Sequence, residues 1–409
     1  MGKDLNGKEL GRGITQRKDG RYMGRIHIKG SKKEITLYDR NLKVLKNKVS
    51  TYQALAGTSQ WDISMTVTEW FEQWMEIYNV PVLKATTIRN YWDGFKRVQP
   101  LIGDCRVIDI KSNNILSVIC VLKENGYAPA TIKQTFTILK VMFSMAYRVR
   151  AVLYNPCEGM RAPTERTHQE IIEREESQNL EKDVQRFLDV CRHTRYYELF
   201  YILSRTGLRI GEACALEWKD VDLERKCIYI DKTVNKVKKY YDSKGRKMES
   251  SKMVAQITSP KKQASYRIVP ISDETVNAFA AWKTKQLADK QRWGRKWGIK
   301  NELLKDFPDL IFTTSPGKTY LPGYATQECK RISDCINRRE KQMALSENRE
   351  SEFIHIHPHL FRYFYVTKCV EKGMNPVMIG KITGHAEIRM TQHYTRLSDE
   401  FILRQHEVH

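Results

Sequence analysis

A chain of 409 residues exceeds what one ordinary hydrophobic core supports, so two or three domains are expected. Hydrophobic side chains make up 41%, which excludes a disordered chain, and no apolar run approaches the roughly 18–20 residues that a membrane span requires. The net charge of +22, from 70 Lys and Arg against 48 Asp and Glu, points to a polyanion as partner, nucleic acid first.

Residues 1–60 carry 14 basic and 5 acidic side chains, a local balance of +9, and read as a separate DNA-contacting element. Residues 13–38 alternate as strands do, with turn signals at Lys18-Asp19-Gly20 and Lys29-Gly30-Ser31, which predicts a three-stranded antiparallel sheet. In its middle strand Arg21, Met23, Arg25, His27 and Lys29 share one face, while Tyr22, Gly24, Ile26 and Ile28 share the other. The first face is cationic and suits a DNA groove, with Arg21, Arg25, His27 and Lys29 as contacts; a solvated charged strand is the plain alternative. Leu42 to Leu55 reads as a helix covering the apolar face.

From 64 to 163 the pattern is helical. Trp70, Phe71, Trp74, Ile77 and Tyr78 recur at helical spacing and read as core, and Pro129 suits the start of a run from Ala130 to Ala151. Lys84, Arg89, Lys96, Lys133 and Lys140 are the candidates there for DNA contact. Residues 164–178 lack apolar periodicity and read as a linker, and 179–409 form the last domain. The nine cysteines are odd in number and none are spaced as Cys-x-x-Cys; with nothing resembling a signal peptide, reduced thiols and a cytoplasmic protein are expected.

Four motifs in the last domain carry chemistry. In Thr206-Gly207-Leu208-Arg209-Ile210-Gly211-Glu212, a glycine permits tight entry into a helix and aims Arg209 at an anion, although an ordinary helix start reads equally well alone. Ile257 to Pro270 reads as two strands joined by a basic turn, whose Lys261, with Lys262 as competitor, could donate a proton. In His357-Pro358-His359-Leu360-Phe361-Arg362, proline at a helix start places His359 and Arg362 on one face near a positive N-terminus, which suits phosphate binding with proton transfer. Metal binding by His355, His357 and His359 is disfavoured, because the proline breaks the strand and no Cys or carboxylate completes the set. The fourth motif runs from Gly384-His385 to Tyr394. A phenol with a pKa near about 10 is a poor nucleophile and needs cationic surroundings.

In the order arginine, lysine, His-x-x-Arg, histidine, tyrosine, residues 180–395 resemble the tyrosine recombinase (lambda-type integrase) family. The front, with Gln16-Arg17-Lys18-Asp19-Gly20-Arg21-Tyr22 in a small sheet and then a helical domain, is similar to the three-domain integrases of conjugative transposons. The resemblance implies a mixed α/β multidomain chain: an arm-site domain with a small three-stranded sheet, an all-α core-binding domain, and a mainly α catalytic domain with a small antiparallel sheet. It further implies Arg209 and Arg362 as clamp on the scissile phosphate, Lys261 as acid for the leaving 5′ oxygen, His359 in proton transfer, His385 as hydrogen-bond donor and Tyr394 as nucleophile. No cofactor or metal is implied. The implied partners are double-stranded DNA, a homotetramer assembled on it, and accessory excision or DNA-bending proteins in a bacterial host.

Two further readings follow from the same residues: a type IB-like topoisomerase, and a catalytically silent DNA-binding regulator. Tyr363 stands where the family commonly has histidine, so packing beside Arg362 should differ. Residues 232–252 carry eight basic and two acidic side chains and read as a mobile hairpin that orders on DNA. Phe401-Ile402-Leu403 is expected to dock on a neighbouring subunit or, alternatively, on its own domain.

Overall fold

The computed structural model describes residues 2–27, 34–58, 62, 64–162, 180–242, 244–260 and 265–384. The chain divides into two compact units, one drawing on residues 1–166 and 238–252, the other on 167–237 and 253–409. Its class is mixed α/β, as expected.

In the first unit, β1 (Gly2–Lys3) pairs with β2 (Glu9–Gly11), a ribbon that the sequence did not announce. Next come β3 (Ile14–Gln16), β4 (Tyr22–His27) and β5 (Glu34–Asp39), an antiparallel sheet in the order β3-β4-β5. Helix α1 (Leu42–Thr58) covers one face, where Leu45, Val49 and Tyr52 pack with Ile26, Ile35 and Leu37. The spacing of those three helical residues puts them on one stripe. Gly24 permits the approach, since a Cβ there would lie 2.5 Å from a Val49 methyl. On the opposite face Arg25 and His27 are exposed and share Glu34, at 3.8 and 4.0 Å. Arg21 precedes the strand and grips Asp19, while Lys29 and its turn lie outside the described residues.

The helices α2 (Val67–Trp74), α3 (Ala85–Ile102), α4 (Ser112–Glu124) and α5 (Pro129–Arg148) follow. Thr66 starts α2 through a reciprocal cap, its hydroxyl accepting from the Glu69 N–H while Glu69 accepts from the Thr66 N–H. Trp70, Phe71 and Trp74 are buried, and Phe71 stacks on Phe95 with centroids 3.8 Å apart. Ile77 is a correction to the periodic reading: it is 53% exposed. Met75–Asn79 form a π-turn, which inserts a residue into the repeat and rotates Ile77 off the core stripe.

The second unit contains α6 (Leu180–Cys191), α7 (Tyr197–Thr206), α8 (Ile210–Ala213), β6 (Val221–Asp222), β7 (Cys227–Ile230), β8 (Thr233–Tyr241), β9 (Lys247–Thr258), β10 (Arg267–Pro270), α9 (Asp273–Trp293), α10 (Leu303–Asp306), α11 (Pro322–Ser346), α12 (Pro358–Glu371) and α13 (Pro376–Thr383). Segment 238–252, from β8 and β9, belongs to the first unit instead. The second core centres on Phe187, Phe200 and Phe361, which meet edge or face at 5.5 Å, and on Trp282, whose indole donates to the Ile311 carbonyl at 2.7 Å. Sheet order is β10-β7-β6, and β8 pairs with β9. The stretches flanking Lys261 do not pair with each other among the described residues: β9 pairs with β8, and β10 pairs with β7 at the end of its sheet.

The basic hairpin also departs from expectation. Tyr240 and Tyr241 are buried in the helical core of the first unit, with Tyr240 stacked on Trp92 at 5.2 Å. Lys247 pairs with Glu72 and lies over the Trp92 ring at 4.9 Å, and Lys96 donates to the Tyr240 hydroxyl. Two tyrosines anchor the tip by burying apolar area.

Candidate active site

The site grows from four helix ends in the second unit. Helix α7 stops at Gly207, whose φ of 62° favours glycine, and a Cβ there would lie 2.5 Å from the Tyr365 ring. The aromatic run at 363–365 thus closes on the turn that delivers Arg209. Arg209 is the cap residue of α8, and Glu212 one turn on accepts both its N–H at 2.9 Å and its guanidinium at 2.8 Å. Pro358 occupies the first position of α12, which carries His359 and Arg362. Helix α13 ends at Gly384 with φ 70°.

Orphan carbonyls at a helix C-terminus need donors, and the dipole there favours cations. At α13 arginines supply both. Arg362 donates to the Thr383 carbonyl at 2.6 Å and to the Gly207 carbonyl at 2.8 Å, and Arg209 donates to the Gly384 carbonyl at 3.0 Å. The structure therefore brings Arg209 and Arg362 onto adjacent carbonyls, immediately before His385. They differ in access, since the Arg209 side chain is 38% exposed and Arg362 only 1%.

His359 stands on the same helix as Arg362 and reaches solvent. Surrounding protein, then the positive charge of Arg362, His357 and Arg209, push its imidazole below the ordinary value of 6.5, so the neutral form, which can accept a proton, prevails at pH 7. Lys261, His385 and Tyr394 lie outside the described residues, as does Phe401-Ile402-Leu403. Among the described residues no three His, Cys, Asp or Glu gather as a metal site, and no helix is long and apolar enough to cross a membrane.

Two residues escaped the sequence reading. Arg267, at the start of β10, holds Glu212 with both amines at 2.7 and 3.1 Å and donates to the Ile382 carbonyl at 2.6 Å. Burial opposes the charge of Glu212, but hydrogen bonds and charge from Arg267, and then Arg209, outweigh it and hold the carboxyl below its usual range. The available signal was weak: an acid three residues after Arg209, and an arginine opening a strand of alternating burial.

Comparison with known proteins bears on the family and the fold. The phage integrase family model matches residues 179–400, and that of the phage integrase N-terminal SAM-like domain matches residues 66–119. A tyrosine recombinase XerC-like protein of Caldanaerobacter subterraneus subsp. tengcongensis is 26% identical over 282 residues, 69% of this chain and 66% of that one. The transposase from transposon Tn916 of Enterococcus faecalis is 26% identical over 276 residues, 67% of this chain and 60% of that one. These matches thus span less than two thirds of either relative. A Tn1549 transposon integrase solved with a circular intermediate DNA shares the fold, with a TM-score of 0.60 at 20% identity over 84% of this chain and 99% of that one.

Proposed function

Because the chain belongs to the phage integrase family, we propose that it is a tyrosine-type site-specific recombinase that integrates and excises a mobile element. The observation that carries this reading is the convergence of Arg209 and Arg362 on the Gly384 and Thr383 carbonyls, one residue before the His385-to-Tyr394 segment. Two guanidiniums so placed match the non-bridging oxygens of a phosphodiester, and they stabilise charge as it develops in the transition state.

In this mechanism Tyr394 attacks phosphorus and the 5′ oxygen departs, which leaves a 3′-phosphotyrosyl link. Lys261 protonates the departing oxygen, neutral His359 takes up the tyrosine proton, and His385 hydrogen-bonds the phosphate. The link keeps the energy of the phosphodiester, so a 5′ hydroxyl of another strand can displace the tyrosine with no nucleotide consumed. Arg21, Arg25, His27 and Lys29 serve arm-site binding. The partners are double-stranded DNA at element ends and target, three further copies of this chain on that DNA, and accessory excision or bending proteins, in the cytoplasm of a bacterial host.

The test is a nicked suicide substrate carrying the ends of the element, scored for a denaturant-stable protein–DNA adduct. Wild type should give the adduct in EDTA, and Tyr394→Phe should not. Absence of adduct from bound cognate DNA would favour the regulator, and relaxation of plasmid lacking any recombination site would favour the topoisomerase.

A further inference from the structure

We infer that Arg267 is a positioning residue of the strand-transfer site, which takes up the charge of Glu212 so that Arg209 keeps its own for the phosphate. The inference rests on the recombinase reading above. Four observations, all within the second unit, support it.

Glu212 is 5% exposed and sits directly against Arg209, whose guanidinium it accepts at 2.8 Å. Left to Arg209 alone, that carboxylate would cancel the cation at the point where an anionic substrate must bind, because opposite charges in a poorly solvated place act at nearly full strength. Arg267 changes the balance. Its side chain is 4% exposed, and it addresses both carboxylate oxygens as a planar fork, the geometry that only a guanidinium provides. Three guanidiniums (Arg209, Arg267 and Arg362) against one carboxylate leave two positive charges, enough to exceed the single charge of a phosphodiester.

The same residue sets position. The remaining nitrogen of Arg267 donates to the Ile382 carbonyl at 2.6 Å, beside the Thr383 carbonyl held by Arg362 and the Gly384 carbonyl held by Arg209. Three consecutive carbonyls at the end of α13 are thus each held by a different arginine, from β10, α12 and the cap of α8. Each of the three nitrogens of Arg267 already donates within the protein, to Glu212, to the Ile382 carbonyl or to the Ser265 carbonyl. The residue ties the carboxylate, the helix end and the strand after Lys261 into one rigid frame, and a site is only as well oriented as the frame behind it.

The experiment measures the rate of phosphotyrosyl adduct formation on saturating nicked substrate, with DNA affinity measured separately. R267Q should slow the adduct by about 10²-fold while DNA affinity changes by less than roughly threefold. Adding E212Q to R267Q removes the uncompensated carboxylate and should raise the rate at least about tenfold over R267Q alone. A purely structural ion pair predicts the opposite, since the double variant would be no better than the single. Should R267Q fail to fold, R267K keeps the charge and should retain more than about a tenth of the wild-type rate. R267Q within roughly threefold of wild type, a double variant no faster than R267Q, or R267K below a tenth would each overturn this inference while wild type still forms adduct. No adduct from wild type on bound cognate DNA would overturn the recombinase reading and this inference with it.

Discussion

Gly207→Ala probes the hinge of the site. The φ of 62° would cost an L-residue about 1–2 kcal/mol. The new methyl would fall 2.5 Å from the Tyr365 ring, and pushing a packed ring aside costs about 1–3 kcal/mol more. Against this, alanine lowers the entropy of the unfolded chain by about 0.4–1 kcal/mol, so the net loss is about 1–4.6 kcal/mol. For a unit of this size that lowers Tm by roughly 2–18 °C. The assay is scanning calorimetry of full-length wild type, Gly207→Ala, Tyr365→Leu and the double variant, following the transition of the second unit, because a chain of two units need not unfold in one step. Tyr365→Leu removes the ring edge, so the double variant should be relieved of the clash and retain only the backbone strain. A fall of less than roughly 2 °C for Gly207→Ala, or no recovery in the double variant, would refute the assignment of strain and clash at this turn.

The acid limb of adduct formation should lie below pH 6.5, since His359 is held below its ordinary value and stays neutral further into acid; a pH–rate profile with its acid midpoint above 6.5 would contradict this. Glu212 has a lowered folded value, so its contribution to stability is complete above about pH 4.5 and is lost as pH falls further; Glu212→Gln should flatten acid unfolding there. Tyr240→Ala should cost the first unit about 3–4 kcal/mol by removing a buried ring stacked on Trp92, and should speed proteolysis between residues 242 and 247, which denaturant melts and limited digestion would check. Lys232→Met should cost about 3–5 kcal/mol, because Asp220 would remain buried without its cation while Glu217 keeps only the exposed Lys219; an unchanged unfolding midpoint would argue against that cluster.

Local chemistry was legible along the chain wherever a signal lay within one turn. Pro129 and Pro358 each announced a helix start, and alternation from Tyr22 to His27 announced which residues face inward. Arg209 and Arg362 were legible as types in an order, but their meeting on neighbouring carbonyls is a product of tertiary folding. Arg267 stayed hidden for the same reason, as its partners Glu212 and Ile382 are remote in sequence. Ile77 was misread because a π-turn breaks the 3.6 repeat without any residue that marks it. The tip of β8 and β9 was misread because its many cations masked the two tyrosines that decide its position.

That tip bears on how such a protein can change over generations. Residues 238–252 are encoded in the midst of the second unit, yet their tyrosines complete the core of the first. A gene exchange that joins the front half of one homologue to the back half of another at residues 163–179 would bring a foreign plug to Trp92. The two halves must therefore be inherited together or co-adapt at this one socket, and a fragment expressed to residue 162 would lack side chains that its own interior requires.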